Sequence, residues 1–270
     1  MYKIIDIHTH IYPEKISVKA TKALSDFYRF IVNSKGTLDD LEKQCSKCFI
    51  TGFLLLSVAT NPHQVKTVND FAAECVRASR SRGFEAYGFA SMHQDFEDIG
   101  NEVERAVSMG LKGVKLHPDI QGVDVTDNRL YPLYEACSYL DIPVYFHSGD
   151  YRPEYRFSEP KKIAKVLSDF PKLRVSAAHL GGYKAWEEAE EYLAGNERVW
   201  FDTSSSLWSM TAEKADKIIS KIGKERLMFG SDYPGEVIED EIRRFSALSM
   251  SEREREKVFY ENARVFLGVC

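Results

Sequence analysis

Eight short runs of apolar, often β-branched residues recur along the chain, each followed by a polar or amphipathic stretch of helical length. The runs are Lys3–His10, Phe49–Ala59, Phe84–Ser91, Leu111–His117, Ile142–His147, Arg174–His179, Val199–Thr203 and Arg226–Ser231. Continuous apolar runs of this length fit strands buried on both faces, as in a parallel sheet. The intervening stretches Pro62–Arg82, Asp95–Met109, Asn128–Leu140, Glu159–Asp169, Tyr183–Ala194, Ala212–Ile222 and Val237–Leu248 predict helices, and Glu252–Leu267 predicts a last one. Pro132 and Pro160 fall near helix starts, where proline is tolerated. Eight strand–helix units in 270 residues predict an α/β fold of the (β/α)8 TIM-barrel type, a single domain over residues 1–270. The segment between His10 and Phe49 exceeds what one helix needs. It is expected to form a small insertion after strand 1, over the barrel mouth, with Phe27, Tyr28 and Phe30 capping a site.

Composition agrees with a packed enzyme-sized domain: 44% of residues are hydrophobic and 29% charged. The net charge of -5 and the absence of a basic stripe give no sign of nucleic-acid binding. No apolar run approaches the ~20 residues needed to span a membrane. The first residues lead directly into a strand without a signal-peptide layout, and five cysteines follow no framework spacing. A cytoplasmic protein is therefore expected. Cys45 and Cys48 form a CxxC, read as thiols of a helix preceding a strand; a redox pair or half a zinc site are the alternatives, and no second CxxC completes the latter.

In such a barrel, chemistry sits at the C-terminal ends of the strands. The first run ends Asp6-Ile7-His8-Thr9-His10, and strand alternation would turn Asp6, His8 and His10 to one side. Two imidazoles one pleat apart can chelate one ion, or can stack in a polar mouth without metal. The fourth run ends Lys115-Leu116-His117, the fifth His147-Ser148-Gly149, the sixth His179-Leu180-Gly181, and the eighth Ser231-Asp232-Tyr233. Five of seven histidines thus fall at predicted strand ends, where an apolar strand gains nothing from them unless they are paired or bound.

The ordered phrases DIHTH, GVKLHP, HSGD, AHLGG, FGSDYP and ENARVFLG run from one end of the chain to the other. As a set they resemble the amidohydrolase superfamily, and most closely its amidohydrolase 2 branch, which includes aminocarboxymuconate-semialdehyde decarboxylase and related hydrolases. The resemblance implies that His8, His10, His147 and Asp232 hold a divalent metal, zinc first, with one ion favoured over two. His179 and Asp232 would be catalytic. Asp6 would orient a ligand imidazole or be an ordinary buried aspartate. In binuclear relatives a carboxylated lysine on strand four bridges two metals, so Lys115, with His179, could complete a second site. An ammonium about 5 Å from a divalent ion is repelled by about 6–7 kcal/mol at an effective dielectric of about 20, so Lys115 must be neutral, carboxylated, paired or turned away. Lys115, His117 and Arg152 are candidate substrate contacts; Arg152 reads first as a solvated loop residue, and Trp208 and Tyr233 as pocket walls or packing.

The leading expectation is hydrolysis of a small C–N or C–O bond by metal-activated water. Non-oxidative decarboxylation of a small unsaturated or aromatic acid on the same frame is the alternative. A PHP-type phosphoesterase also begins with HxH, but AHLGG and GSDYP speak against it. TatD-type deoxyribonucleases carry a strand-four glutamate where this chain has Lys115. A metal-binding barrel without activity is the non-enzymatic reading. A small-molecule substrate and a homodimer are the expected partners.

Overall fold

The computed structural model describes residues 2–32 and 34–269. Eight parallel strands pair in sequence order: β1 (Ile5–Thr9), β2 (Gly52–Leu56), β3 (Glu85–Ser91), β4 (Val114–Leu116), β5 (Val144–Phe146), β6 (Val175–Ala177), β7 (Val199–Asp202) and β8 (Leu227–Met228). The sheet closes on itself where the Ile7 N–H donates to the Phe229 carbonyl at 2.9 Å and the Asp232 N–H to the His8 carbonyl at 2.9 Å. This is the expected (β/α)8 barrel.

The helices lie where the polar stretches predicted them: α3 (Val65–Ser81), α4 (Ile99–Ser108), α6 (Tyr131–Tyr139), α7 (Pro160–Asp169), α8 (Trp186–Tyr192), α9 (Ala212–Ile222) and α10 (Ile238–Ser246). A four-residue α5 (Pro118–Gln121) follows β4 directly. The last predicted helix is broken into α11 (Glu252–Glu256), one π turn (Lys257–Glu261) and α12 (Asn262–Leu267). Within that turn, the Val258 carbonyl accepts from the Phe229 N–H at 3.0 Å, a bond to the strand region that a continuous α-helix would have kept for itself. Among the described residues no helix is long and apolar enough to cross a membrane.

Two apolar layers build the core. Inside the barrel, Ile5, Leu54, Leu56, Phe89, Tyr145, Trp200 and Met228 pack together with Phe266 of α12. Phe266 lies 6.0 Å from the Phe89 and Tyr145 rings and 5.6 Å from Trp200. The outward sides of the strands, Phe53, Leu55, Val114, Phe146 and Phe201 among them, meet the helices.

The strand ladders end earlier than the apolar runs do. His117, His147, His179 and Asp232 all follow the last paired residue, and His179 and Asp232 adopt left-handed backbone (φ 62° and 66°). Leaving the ladder lets these side chains turn toward the mouth instead of alternating. The insertion after β1 contains two helices, α1 (Glu14–Tyr28) and α2 (Leu38–Lys47).

Candidate metal centre and pocket

His8, His10 and Asp232 bring their ligand atoms together at the mouth. His8 Nε2 and His10 Nε2 are 3.1 Å apart, and Asp232 Oδ1 is 3.4 Å from the first and 3.3 Å from the second. Gly230 permits this closeness: a Cβ there would come within 2.9 Å of the His8 Cβ.

The far nitrogen of each ring is fixed. His10 Nδ1 faces the Leu56 carbonyl at 2.5 Å, an acceptor only, so it carries the proton and donates it. His8 Nδ1 faces Asp202 Oδ2 at 3.3 Å and Ser204 Oγ at 2.9 Å. Burial, reinforced by the Lys115 ammonium, pushes the His8 imidazole down to about 3, so the ring is neutral. Both Nε2 atoms therefore present bare lone pairs to the same point. Burial alone would raise the Asp232 carboxyl; positive charge gathered at the mouth, on the imidazoles when they carry it or on an ion in their place, outweighs burial and holds the group well below the usual carboxylate range. Asp232 Oδ2 accepts from Ser205 Oγ at 2.5 Å. Two bare imidazole nitrogens and a carboxylate oxygen, converging without a donor among them, fit a divalent metal ion.

His147 and His179 adjoin this group. His147 Nδ1 lies 3.0 Å from His179 Nε2, while His179 Nδ1 donates to the Ser204 carbonyl at 3.0 Å. The His8 and His179 rings stack at 5.1 Å. Among the described residues, His147 is not part of the tight group formed by His8, His10 and Asp232. Its Nε2 faces Asp119 Oδ2 at 3.5 Å and the Tyr28 hydroxyl at 3.4 Å. Burial, with the Asp150 charge, pushes the Asp119 carboxyl up to about 8. What stands behind Nε2 decides whether Nδ1 donates to His179 or stays bare for an ion. His117 stacks on His147 at 4.0 Å, nearly parallel (9°), and pairs with the Tyr28 hydroxyl at 2.7 Å.

Lys115 is wholly buried, its Nζ has no hydrogen-bond partner among the described residues, and it stands 4.8 Å over the Tyr145 ring. Burial lowers it to about 8. Arg152 is not a solvated loop residue. Its guanidinium grips Asp150 twice (2.9 and 2.7 Å), donates to the Phe27 carbonyl at 2.7 Å, and lies over the rings of Phe27 and Tyr155. Its fork is already filled, and its position ties the C-terminal end of α1 to the loop after β5.

Asp6 does not orient an imidazole. The β1–β2 register slips between Asp6 and Thr9, and the Asp6 carboxylate accepts instead from the backbone N–H groups of Ser231 (2.9 Å) and His8 (3.2 Å). The orienting group is Asp202 at the end of β7. It takes the Tyr145 hydroxyl at 2.5 Å, the Ser204 N–H at 2.8 Å, and also the Ser204 hydroxyl. The strand-end criterion, applied to the seventh run, picks out this residue, which the sequence analysis leaves unassigned.

These groups open into a cavity of about 750 Å³. Its walls are largely apolar and aromatic: Leu24, Phe27, Tyr28, Phe30, Tyr183 and Trp208. The expected cap is therefore present. Tyr233 is fully buried and is not among the lining residues; its hydroxyl pairs with Asp40 of α2 at 2.7 Å. Gly149 (φ 65°) lets the loop after β5 approach the next one, since a Cβ there would meet Gly182 Cα at 3.0 Å.

A family model described as amidohydrolase matches residues 5–269. The chain is 26% identical over 254 residues to a gamma-resorcylate decarboxylase of Polaromonas sp. (strain JS666), covering 74% of each protein. It is 24% identical over 246 residues to a 2-amino-3-carboxymuconate-6-semialdehyde decarboxylase of Dictyostelium discoideum, covering 75% of this chain and 66% of that protein. Among solved structures, a 5-carboxyvanillate decarboxylase of Novosphingobium aromaticivorans, complexed with manganese and 4-hydroxy-3-methoxy-5-nitrobenzoic acid, superposes with a TM-score of 0.75 at 18% identity, over 99% of this chain and 96% of that one. The barrel, the converging donors at its mouth and the family match agree: this chain is an enzyme of the amidohydrolase superfamily and belongs to its amidohydrolase 2 branch.

Proposed function

We propose that the protein is a divalent-metal-dependent, non-oxidative decarboxylase of a small unsaturated or aromatic acid. The observation that carries this reading is the convergence of His8, His10 and Asp232 at the end of a cavity walled by aromatic rings. Those walls suit a planar conjugated molecule. The decarboxylases among the relatives favour C–C cleavage over the hydrolysis that the sequence motifs alone put first.

His8, His10 and Asp232 would hold the ion, with His147 as a fourth ligand. Manganese is as admissible as zinc, since mixed nitrogen and oxygen donors suit either. When bound, the ion supplies positive charge that polarises the substrate's oxygens. Asp232 takes a proton from the bound acid and returns it to the carbon bearing the carboxylate. The C–C bond then breaks, its electron pair restores the conjugated system, and carbon dioxide leaves; no water is consumed. Ser205 holds the Asp232 carboxylate in place through that exchange. His179, fixed through Nδ1, holds Nε2 against His147 at the wall of the cavity, beside the bound acid. The cap over the site keeps water from competing for the charge that develops.

Lys115, wholly buried and not among the residues that line the cavity, bridges no second ion in this reading, and one ion per chain is the working stoichiometry. The chain works as one amidohydrolase-type barrel domain in the cytoplasm, on a small molecule, as a monomer or homodimer. Incubation of the manganese- or zinc-loaded enzyme with hydroxylated benzoates and dienoic acids tests the proposal. Release of carbon dioxide, with a product lighter by that mass, is expected. Uptake of water into the product, without carbon dioxide, would replace it with the hydrolytic reading.

A further inference from the structure

Lys184 follows Gly181-Gly182-Tyr183 in the loop between β6 and α8, on left-handed backbone (φ 56°). Its ammonium is held over three ring faces: Tyr151 at 4.5 Å, Trp208 at 5.1 Å and Tyr183 at 5.2 Å. It lines the same cavity as His10, His147 and His179. Among the described residues it forms no ion pair and no hydrogen bond. The other cations differ, Arg29 and Arg244 in the wall and Arg152 behind it. Arg152 is filled by Asp150, Arg244 is paired with Glu241 and Glu236, and Arg29 is exposed.

Aromatic faces stabilise a cation but accept no strong hydrogen bond from it. The three ammonium protons therefore lack a protein acceptor, and a half-buried charge of this kind gains most from an anion in the cavity. We propose that Lys184 sets the specificity of this pocket by taking a second anionic group, a carboxylate or phenolate, on the far edge of a planar acid whose reacting carboxylate faces His8, His10 and Asp232. The inference rests on the reading of the substrate as a small conjugated acid, and narrows it to acids carrying two anionic groups. Tyr183 sets the spacing. Its ring centre lies 5.9 Å from the His179 ring and 5.2 Å from Lys184 Nζ, so one aromatic ring borders both the histidine and the ammonium.

Trp208 reports on this corner. It is 43% exposed, whereas Trp186 and Trp200 are buried. Isophthalate and benzoate would be titrated into manganese-loaded wild-type, Lys184→Met and Lys184→Arg enzymes, with tryptophan fluorescence as the readout and circular dichroism confirming the fold of each variant. In the wild type, isophthalate should bind at least about tenfold more tightly than benzoate. Lys184→Met should lose that advantage while its benzoate affinity stays within about twofold, and Lys184→Arg should keep most of it. Equal affinities in the wild type, or an equal loss of both ligands in Lys184→Met, would overturn the proposal. Because the titration needs no turnover, it stands or falls separately from the decarboxylation assay.

Discussion

The Nε2 atoms of His8 and His10 stand 3.1 Å apart while the opposite nitrogen of each ring is committed to an acceptor. Facing lone pairs at that distance repel, and the nearby Asp232 carboxylate supplies no proton. A cation resolves the conflict. Metal analysis should find a divalent ion at about one per chain, and His10→Ala and Asp232→Asn should each lose it. Saturation at about 100 times the dissociation constant should stabilise the wild type by about 2.7 kcal/mol, read as a rise in melting temperature. A melting temperature indifferent to metal would remove the basis for the centre.

Asp202 is wholly buried and does not line the cavity at the mouth, yet it receives His8 Nδ1, the Tyr145 hydroxyl and Ser204. Asp202→Asn keeps the shape and replaces an acceptor with a group that can donate toward His8. The His8 ring would then be free to carry its proton on Nε2, against the ion. Metal affinity should fall by about 10–100-fold, the usual effect of removing the group behind a ligand histidine. Competition with a chromophoric chelator measures it directly.

Lys115 carries a charge that no group among the described residues pairs with. Its value of about 8 in the fold lies below the ordinary lysine range, so the unfolded chain binds the proton more tightly. The penalty on folding is complete below pH 8 and fades as pH rises toward the unfolded value near 10.4. In metal-free protein, Lys115→Met should therefore be more stable than wild type by about 3 kcal/mol at pH 7. That gain should shrink to near zero by about pH 10.5. Urea denaturation at several pH values checks this. A variant less stable at pH 7 would mean that the amine has a partner in solution.

Arg152 joins the loop after β5 to the last turn of the capping helix α1 through Asp150 and the Phe27 carbonyl. Arg152→Met leaves Asp150 buried without its cation, and loss of such a partner costs about 3–5 kcal/mol. The effect should concentrate at the cap, seen as faster proteolysis and faster amide exchange across 14–28. Uniform destabilisation of the whole barrel would contradict a capping role for this bridge.

The eight strands were legible because a strand buried on both faces must be apolar along its length, and every such run in this chain became one. Strand ends were less legible. Apolar residues such as Val58, Ala178 and Phe229 lie beyond the ends of their strands, and no local signal marks where pairing stops. Asp6 accepts from the Ser231 and His8 N–H groups and not from an imidazole, beside a register slip in β1 that depends on its partner strand and not on its own sequence. Asp202 lay at a strand end like the others but had no histidine beside it to draw attention.

The sequence by itself determined the barrel, the order of its strands, and the residue types delivered to its mouth, since each follows from local periodicity and from motifs whose order the chain preserves. Only the tertiary structure decided which of those residues meet. His8 and His10 are neighbours in sequence, but Asp232 joins them by closure of the barrel. Arg152 and Asp150 adjoin in sequence, but the Phe27 carbonyl and the ring faces of Phe27 and Tyr28 reach Arg152 from an insertion more than a hundred positions earlier. Proton positions on the imidazoles, the isolation of Lys115 and the cage around Lys184 are likewise properties of what packs behind a side chain. Periodicity records which way a side chain faces; it carries no record of what it will face.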